Sequence, residues 1–316
     1  MFFMSSSALK GQARAALKNH WLTALQIALI VNLPSLLVTG VASFTGRSQS
    51  ALLNAAVEAA TSQGVVNSQI LLNGLSALVR RSDLWVLQGA WLVAWLLTPI
   101  LALGMNVWTL NRLRGETGEV TTVFCRLRIA HKAVGLRLFM LLKVFLWMIP
   151  GVALSFLAML PVINSTATVW EDLVPALNTT LRLTSLASLV MTVPAVIAYL
   201  RYSLADLVMA EKPETGVRAS VAESKKLMAG KKGTLFCLLF SFILWYFAET
   251  LASGLVASLF GSVASLTVQL LASLALNIYV QMSVCAFYKE ALRLHSSAGA
   301  EEPENGAGPE ENNDLN

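Results

Sequence analysis

Six stretches of this chain run for about 20 residues or more with scarcely a charge, at Trp21 to Phe44, Leu84 to Leu110, Leu136 to Val162, Leu183 to Ala210, Thr234 to Leu255 and Ala264 to Tyr288. As a helix rising about 1.5 Å per residue, each can cross ~30 Å of hydrocarbon. Only 13% of the 316 residues are charged against 56% hydrophobic, too little polar side chain to coat a soluble body. Lipid is the expected solvent, and the expected fold is an all-α polytopic transmembrane bundle of about six spans.

Residues 1–20 read as a basic interfacial helix, with Lys10, Arg14 and Lys18 spaced four apart. The run that follows resembles a signal peptide in its basic lead, but its length and the five later runs argue for a retained span. Residues 21–295 form the membrane domain, and 296–316 an acidic tail with too little apolar content to fold. The mildly apolar first outer loop, Thr45 to Asp83, is expected to hold helices lying on the membrane. Pro34, Pro99, Pro150 and Pro194 fall near the middle of four spans and are expected to kink them.

Basic residues set the orientation. Lys10, Arg14 and Lys18 precede the first span; Arg112, Arg114, Arg126, Arg128, Lys132 and Arg137 follow the second. Arg201, Lys212, Arg218, Lys225, Lys226, Lys231 and Lys232 follow the fourth, and Lys289 and Arg293 the sixth. The other side holds Arg47, Arg80, Arg81 and Arg182. The richer side is expected to be cytoplasmic, with both termini on it. The net charge of +5 is thus accounted for by membrane anchoring, and nucleic acid is not implied. Trp21, Trp85, Trp108 and Trp170 fall at expected interfaces. In the loop after the fourth span, Lys225, Lys226, Lys231 and Lys232 are candidate contacts for anionic headgroups or a cytoplasmic partner, with Val217, Val221, Leu227 and Met228 as an apolar side; a membrane-protein partner is a further possibility that the sequence leaves unidentified.

Polar groups inside spans are the remaining candidates, because a charge or amide in hydrocarbon is costly unless paired or wet. Lys143 enters the third span and Glu249 the fifth from opposite faces, so Arg182 is the better partner for Glu249. Gln269, Ser273, Asn277 and Gln281 form a stripe at i, i+4 spacing on the last span, and Asn32 lies beside Pro34. The stripe serves either as interhelical glue, the first reading, or as the lining of a wet cavity. Glu249 stands as a lone carboxylate. His20, His131 and His295 sit singly, and Cys125, Cys237 and Cys285 form no CxxC pair. With no HExxH, Walker A, GxSxG or GxGxxG sequence, no catalytic residue, cofactor or metal site is expected.

The stretch from Tyr199 to Tyr246 is the most distinctive. Its Ser224, Lys225, Lys226, Met228, Gly230 and Lys232, followed by Phe236, Ser241, Phe242 and Trp245, resemble the bacterial integral-membrane family known as domain of unknown function 975. The N-terminal ALKGQARAALKNHW and the closing Phe287, Tyr288, Lys289 and Glu290 resemble the ends of the same family. The acidic tail, the long first outer loop and the link between third and fourth spans depart from it. The resemblance implies a bacterial inner-membrane location and no particular reaction. The leading functional expectation is a non-enzymatic scaffold or accessory subunit. The alternatives are a small transport-like protein handling lipid or amphiphiles and, last, an intramembrane enzyme.

Overall fold

A computed structural model of the chain describes residues 4–61, 82–163 and 170–300, which hold nine helices and no strand. They are α1 (Ser6–Leu17), α2 (Trp21–Thr61), α3 (Ser82–Arg114), α4 (Ala130–Ile163), α5 (Trp170–Tyr202), α6 (Ala205–Glu211), α7 (Val217–Leu227), α8 (Lys232–Phe260) and α9 (Ser262–Ala300). Two 3-10 turns, Val120–Phe124 and Leu127–Ile129, join α3 to α4. Among the described residues six segments are long and apolar enough to cross a membrane, and the chain is an all-α integral membrane protein. They pair most extensively as three hairpins, α2 with α3, α4 with α5, and α8 with α9.

Two spans depart from the expected outline. α2 continues as one helix through Thr61, so the first part of the expected outer loop prolongs the span instead of lying flat. The Ala- and Leu-rich sequence from Ala51 to Ala60 favours helix and gives it no reason to stop. Its 41 residues are about 60 Å long, roughly twice the hydrocarbon thickness. The fourth span is broken instead at Ser203 and Leu204, where α5 gives way to α6. Pro34, Pro99, Pro150 and Pro194 all lie within unbroken helix. α9 runs on to Ala300, past the expected start of the tail; the tail's residues 301–316 and the loop's 62–81 lie outside the described residues.

The basic segments converge at one end of the bundle, where cations meet backbone carbonyls. Arg126 donates to the Ala210 carbonyl at 2.8 Å, Lys132 to that of Pro213 at 2.9 Å, and Lys289 to that of Leu113 at 3.0 Å. These carbonyls lie at or just past the ends of α6 and α3, which lack helical donors and carry partial negative charge. Glu211 closes the same end, accepting from Arg114 and, at 2.6 Å, from the Tyr288 hydroxyl. α1 tucks in beside it: Leu9, Ala13 and Leu17 are fully buried, and Lys10 reaches the Ser241 carbonyl at 3.5 Å and the Phe242 ring at 4.2 Å. Burial, helped by Arg14, pulls the Lys10 ammonium below the usual lysine range.

Trp108 is core, not interface. It is fully buried, donating its indole N–H to the Gly118 carbonyl at 3.1 Å, because the α3–α4 connection folds back over α3. Trp21 and Trp85 are exposed, and the Trp170 side chain lies outside the described residues.

Candidate functional site: a polar cavity inside the bundle

All six spans border one cavity of about 530 Å³. α2 contributes Asn32 and Ser35, α3 Thr98 and Asn106, and α9 Asn277 and Gln281. Arg137 of α4, Tyr199 of α5, Ser203 at the helix break and Asp206 of α6 close another side, with Trp91 and Trp95 contributed by α3. Asp206 stands about 8 Å along α6 from Glu211, Asn106 about 12 Å along α3 from Arg114, and Asn277 about 16 Å along α9 from Tyr288. The cavity therefore begins one to three turns below the ion-paired end. Pro99 cannot donate to the carbonyl of Trp95, and both residues border the cavity.

The stripe on the last span divides. Gln281 donates to Asn106 at 2.5 Å and acts as interhelical glue, whereas Ser273 bonds within its own helix at the Leu270 carbonyl. Asn277 is exposed, borders the cavity and makes no hydrogen bond among the described residues. Gln269 is exposed away from it. Asn32 donates to the Ala28 carbonyl at 2.8 Å, leaving its amide oxygen free of protein donors among the described residues.

Lys143 and Glu249 do not reach the cavity. Lys143 lies 5.5 Å from the Phe139 ring, and Glu249 is half-buried with no ion pair to Arg182 or Lys143 among the described residues. The expected Arg182 and Glu249 pairing fails because α5 packs chiefly on α4. It meets α8 around Val196, Leu200 and Phe236, far along from either charge.

The residues that sequence reasoning passes over are Asp206, Arg137 and Asn106. Arg137 groups with the loop cations in sequence, yet it borders the cavity. Asp206 is a second carboxylate within the expected fourth span, so Glu249 does not stand alone. Neither Asp206 nor Arg137 has a hydrogen bond among the described residues, and no ion pair joins them, although the guanidinium acts electrostatically on the carboxylate.

Among the four lysines of the α7 region, roles differ. Lys225 sits 5.7 Å from the Tyr202 ring, Lys231 donates to the Ala291 carbonyl at 3.3 Å, Lys232 is half-buried, and Lys226 is exposed. Val221, Leu227 and Met228 pack beneath the bundle.

No curated protein and no solved structure is significantly similar to the chain. Residues 1–295, all six spans with α1 before them, match the family described as protein of unknown function (DUF975), and the chain belongs to that family.

Proposed function

We propose that this protein is a small, non-enzymatic transport-like unit of the bacterial inner membrane that admits an amphiphilic solute into its central cavity. Its basic end and both termini face the cytoplasm, where Lys226 meets anionic headgroups. The observation that carries the reading is Asn277, a side-chain amide on the cavity wall, mid-span, with no hydrogen-bonding partner among the described residues. A scaffold packs its intramembrane amides against one another, as Gln281 and Asn106 do. An amide facing a cavity of 530 Å³ needs water or a ligand, since leaving it bare in an apolar medium costs a few kcal/mol.

Cysteine accessibility tests this. Cys125 and Cys237 are exposed and are first changed to serine, whereas buried Cys285 stays. In that background Asn277→Cys is expected to react with a small, water-soluble thiol reagent in intact membranes, at a rate well above that of Cys285. Protection of the introduced thiol equal to that of Cys285 would refute the cavity's solvation and return the stripe to glue.

A further inference from the structure

The cavity contains one side chain of each charge, and this defines what it can hold. Resting on the reading above, we propose that Arg137 and Asp206 form a headgroup site for a zwitterionic phospholipid of the phosphatidylethanolamine class, drawn from the surrounding bilayer.

Three features carry the assignment. The lining has Arg137 as its cation and Asp206 as its anion, so its net charge is zero. A net-charged headgroup would leave one of them opposed, whereas a zwitterion satisfies both. Arg137 offers a planar fork of donors that matches a phosphate, and Asp206 accepts from an ammonium. Both are free to do so, since neither is hydrogen-bonded among the described residues and no ion pair holds them together. Two opposite charges left unbridged within a span are costly, and a ligand with both charges compensates them.

The second feature is a lateral annex. A smaller pocket of about 120 Å³ shares Arg137, Tyr199, Ser203 and Asp206 with the main cavity and adds Met140, Leu141 and Val144 of α4. Leu141 is exposed on the outer surface of the bundle. The charged pair thus stands between a polar chamber and an apolar pocket that borders lipid. An amphiphile entering between α4 and α5 would place its head at the pair and its chain along Met140 and Val144. A free soluble zwitterion would have no use for that annex.

The third feature is the break at Ser203 and Leu204. It falls beside the two charges and interrupts the backbone ladder where a polar ligand could meet it, as irregular backbone at membrane depth is tolerated where it lines a cavity.

The test titrates full-length protein in dodecyl maltoside with dihexanoyl-phosphatidylethanolamine, dihexanoyl-phosphatidylglycerol and free phosphoethanolamine, reading binding by native mass spectrometry. The phosphatidylethanolamine probe is expected to bind at least tenfold more tightly than either other. Arg137→Gln and Asp206→Asn should each weaken it about tenfold. The double variant Arg137→Met with Asp206→Leu removes both charges together, so it should stay folded and show no preference among the three probes. Equal binding of the two lipids by the wild type, or wild-type preference in the double variant, would overturn the proposal. Tighter binding of phosphoethanolamine than of the lipid would overturn the bilayer as its source. If the Asn277→Cys thiol is solvated but these preferences are missing, the headgroup assignment fails while the cavity reading stands.

Discussion

The basic end of the bundle and the end away from it are built from the same six helices but held by different forces. At the basic end, cations join carbonyls of neighbouring elements, Glu211 ties α3 to α9 through Arg114 and Tyr288, and α1 fills the space between. Toward the other end the hairpins present apolar side chains outward, with Leu244 75% and Val263 78% exposed. Most hydroxyls there bond to their own helix, as Thr250 does to the Tyr246 carbonyl, while Ser265 of α9 crosses to the Ser253 carbonyl of α8 at 2.7 Å. In water such leucines would demand a partner. In lipid the tails are as apolar as the side chains, so burying them gains little, and polar contacts and close backbone approach decide where the bundle is tied. The cavity begins just below the tied end, so that end fixes its geometry.

The largest expected effect tests close approach. A Cβ at Gly104 would lie 2.6 Å from the Val123 Cα and overlap the Val123 carbonyl. Gly104→Ala must push the 3-10 turn off α3, at a cost of about 3 kcal/mol. Gly89, on the same helix, has nothing within 4 Å of its added Cβ, so Gly89→Ala should change stability by no more than about 1 kcal/mol, in the stabilising direction. Thermal unfolding of both variants in detergent measures the contrast, and equal midpoints would remove backbone approach from the account.

Next in size is the charged tie. Glu211→Ala leaves the fully buried Tyr288 hydroxyl and the Arg114 guanidinium without their acceptor, an expected loss of about 2 to 3 kcal/mol. Thr250→Ala removes an exposed hydroxyl that bonds within its own turn, and less than about 0.5 kcal/mol should follow. Comparable losses in the two variants would mean that stability is spread evenly along the spans.

The spans were legible because bilayer thickness imposes their length directly on the sequence, whatever they pack against. Their interior was legible only where polarity stood out, as at Asn32, Asn277 and Gln281. Asp206 met the same criterion as Glu249, a carboxylate inside an expected span, but it lay near the span's end between Arg201 and Lys212, which were grouped with the loop cations. Arg137 was masked similarly by five loop cations before it. The break at Ser203 and Leu204 has neither proline nor glycine to announce it, and the four prolines that invited expectation lie in continuous helix. Tertiary packing decides such a break, as it decides the fate of Trp108: composition places a tryptophan near an interface, but only the returning 3-10 turn puts Gly118 in reach of its N–H.

The smallest expected effect separates two lysines that look alike in sequence. Lys231 is half-buried and donates to the Ala291 carbonyl, and burial, opposed by Glu290, lowers its pKa from the usual 10.5. The unfolded chain therefore holds this proton more tightly than the folded one. Between the lowered value and 10.5, raising the pH stabilises the fold through this group. Lys231→Met should cost about 1 kcal/mol near neutral pH and abolish that alkaline gain, read by thermal unfolding across the window. Lys226 is exposed, with no such tie among the described residues. Lys226→Gln should leave unfolding unchanged yet weaken the protein's preference for anionic lipid by about 1 kcal/mol, roughly fivefold. Raised salt should erase that difference, because an exposed charge is screened over about 8 Å at physiological ionic strength, whereas the half-buried Lys231 is screened less. If Lys226→Gln destabilised the fold and Lys231→Met changed only lipid preference, the tied end would extend to the outer face of α7, and the headgroup contact would belong to Lys231.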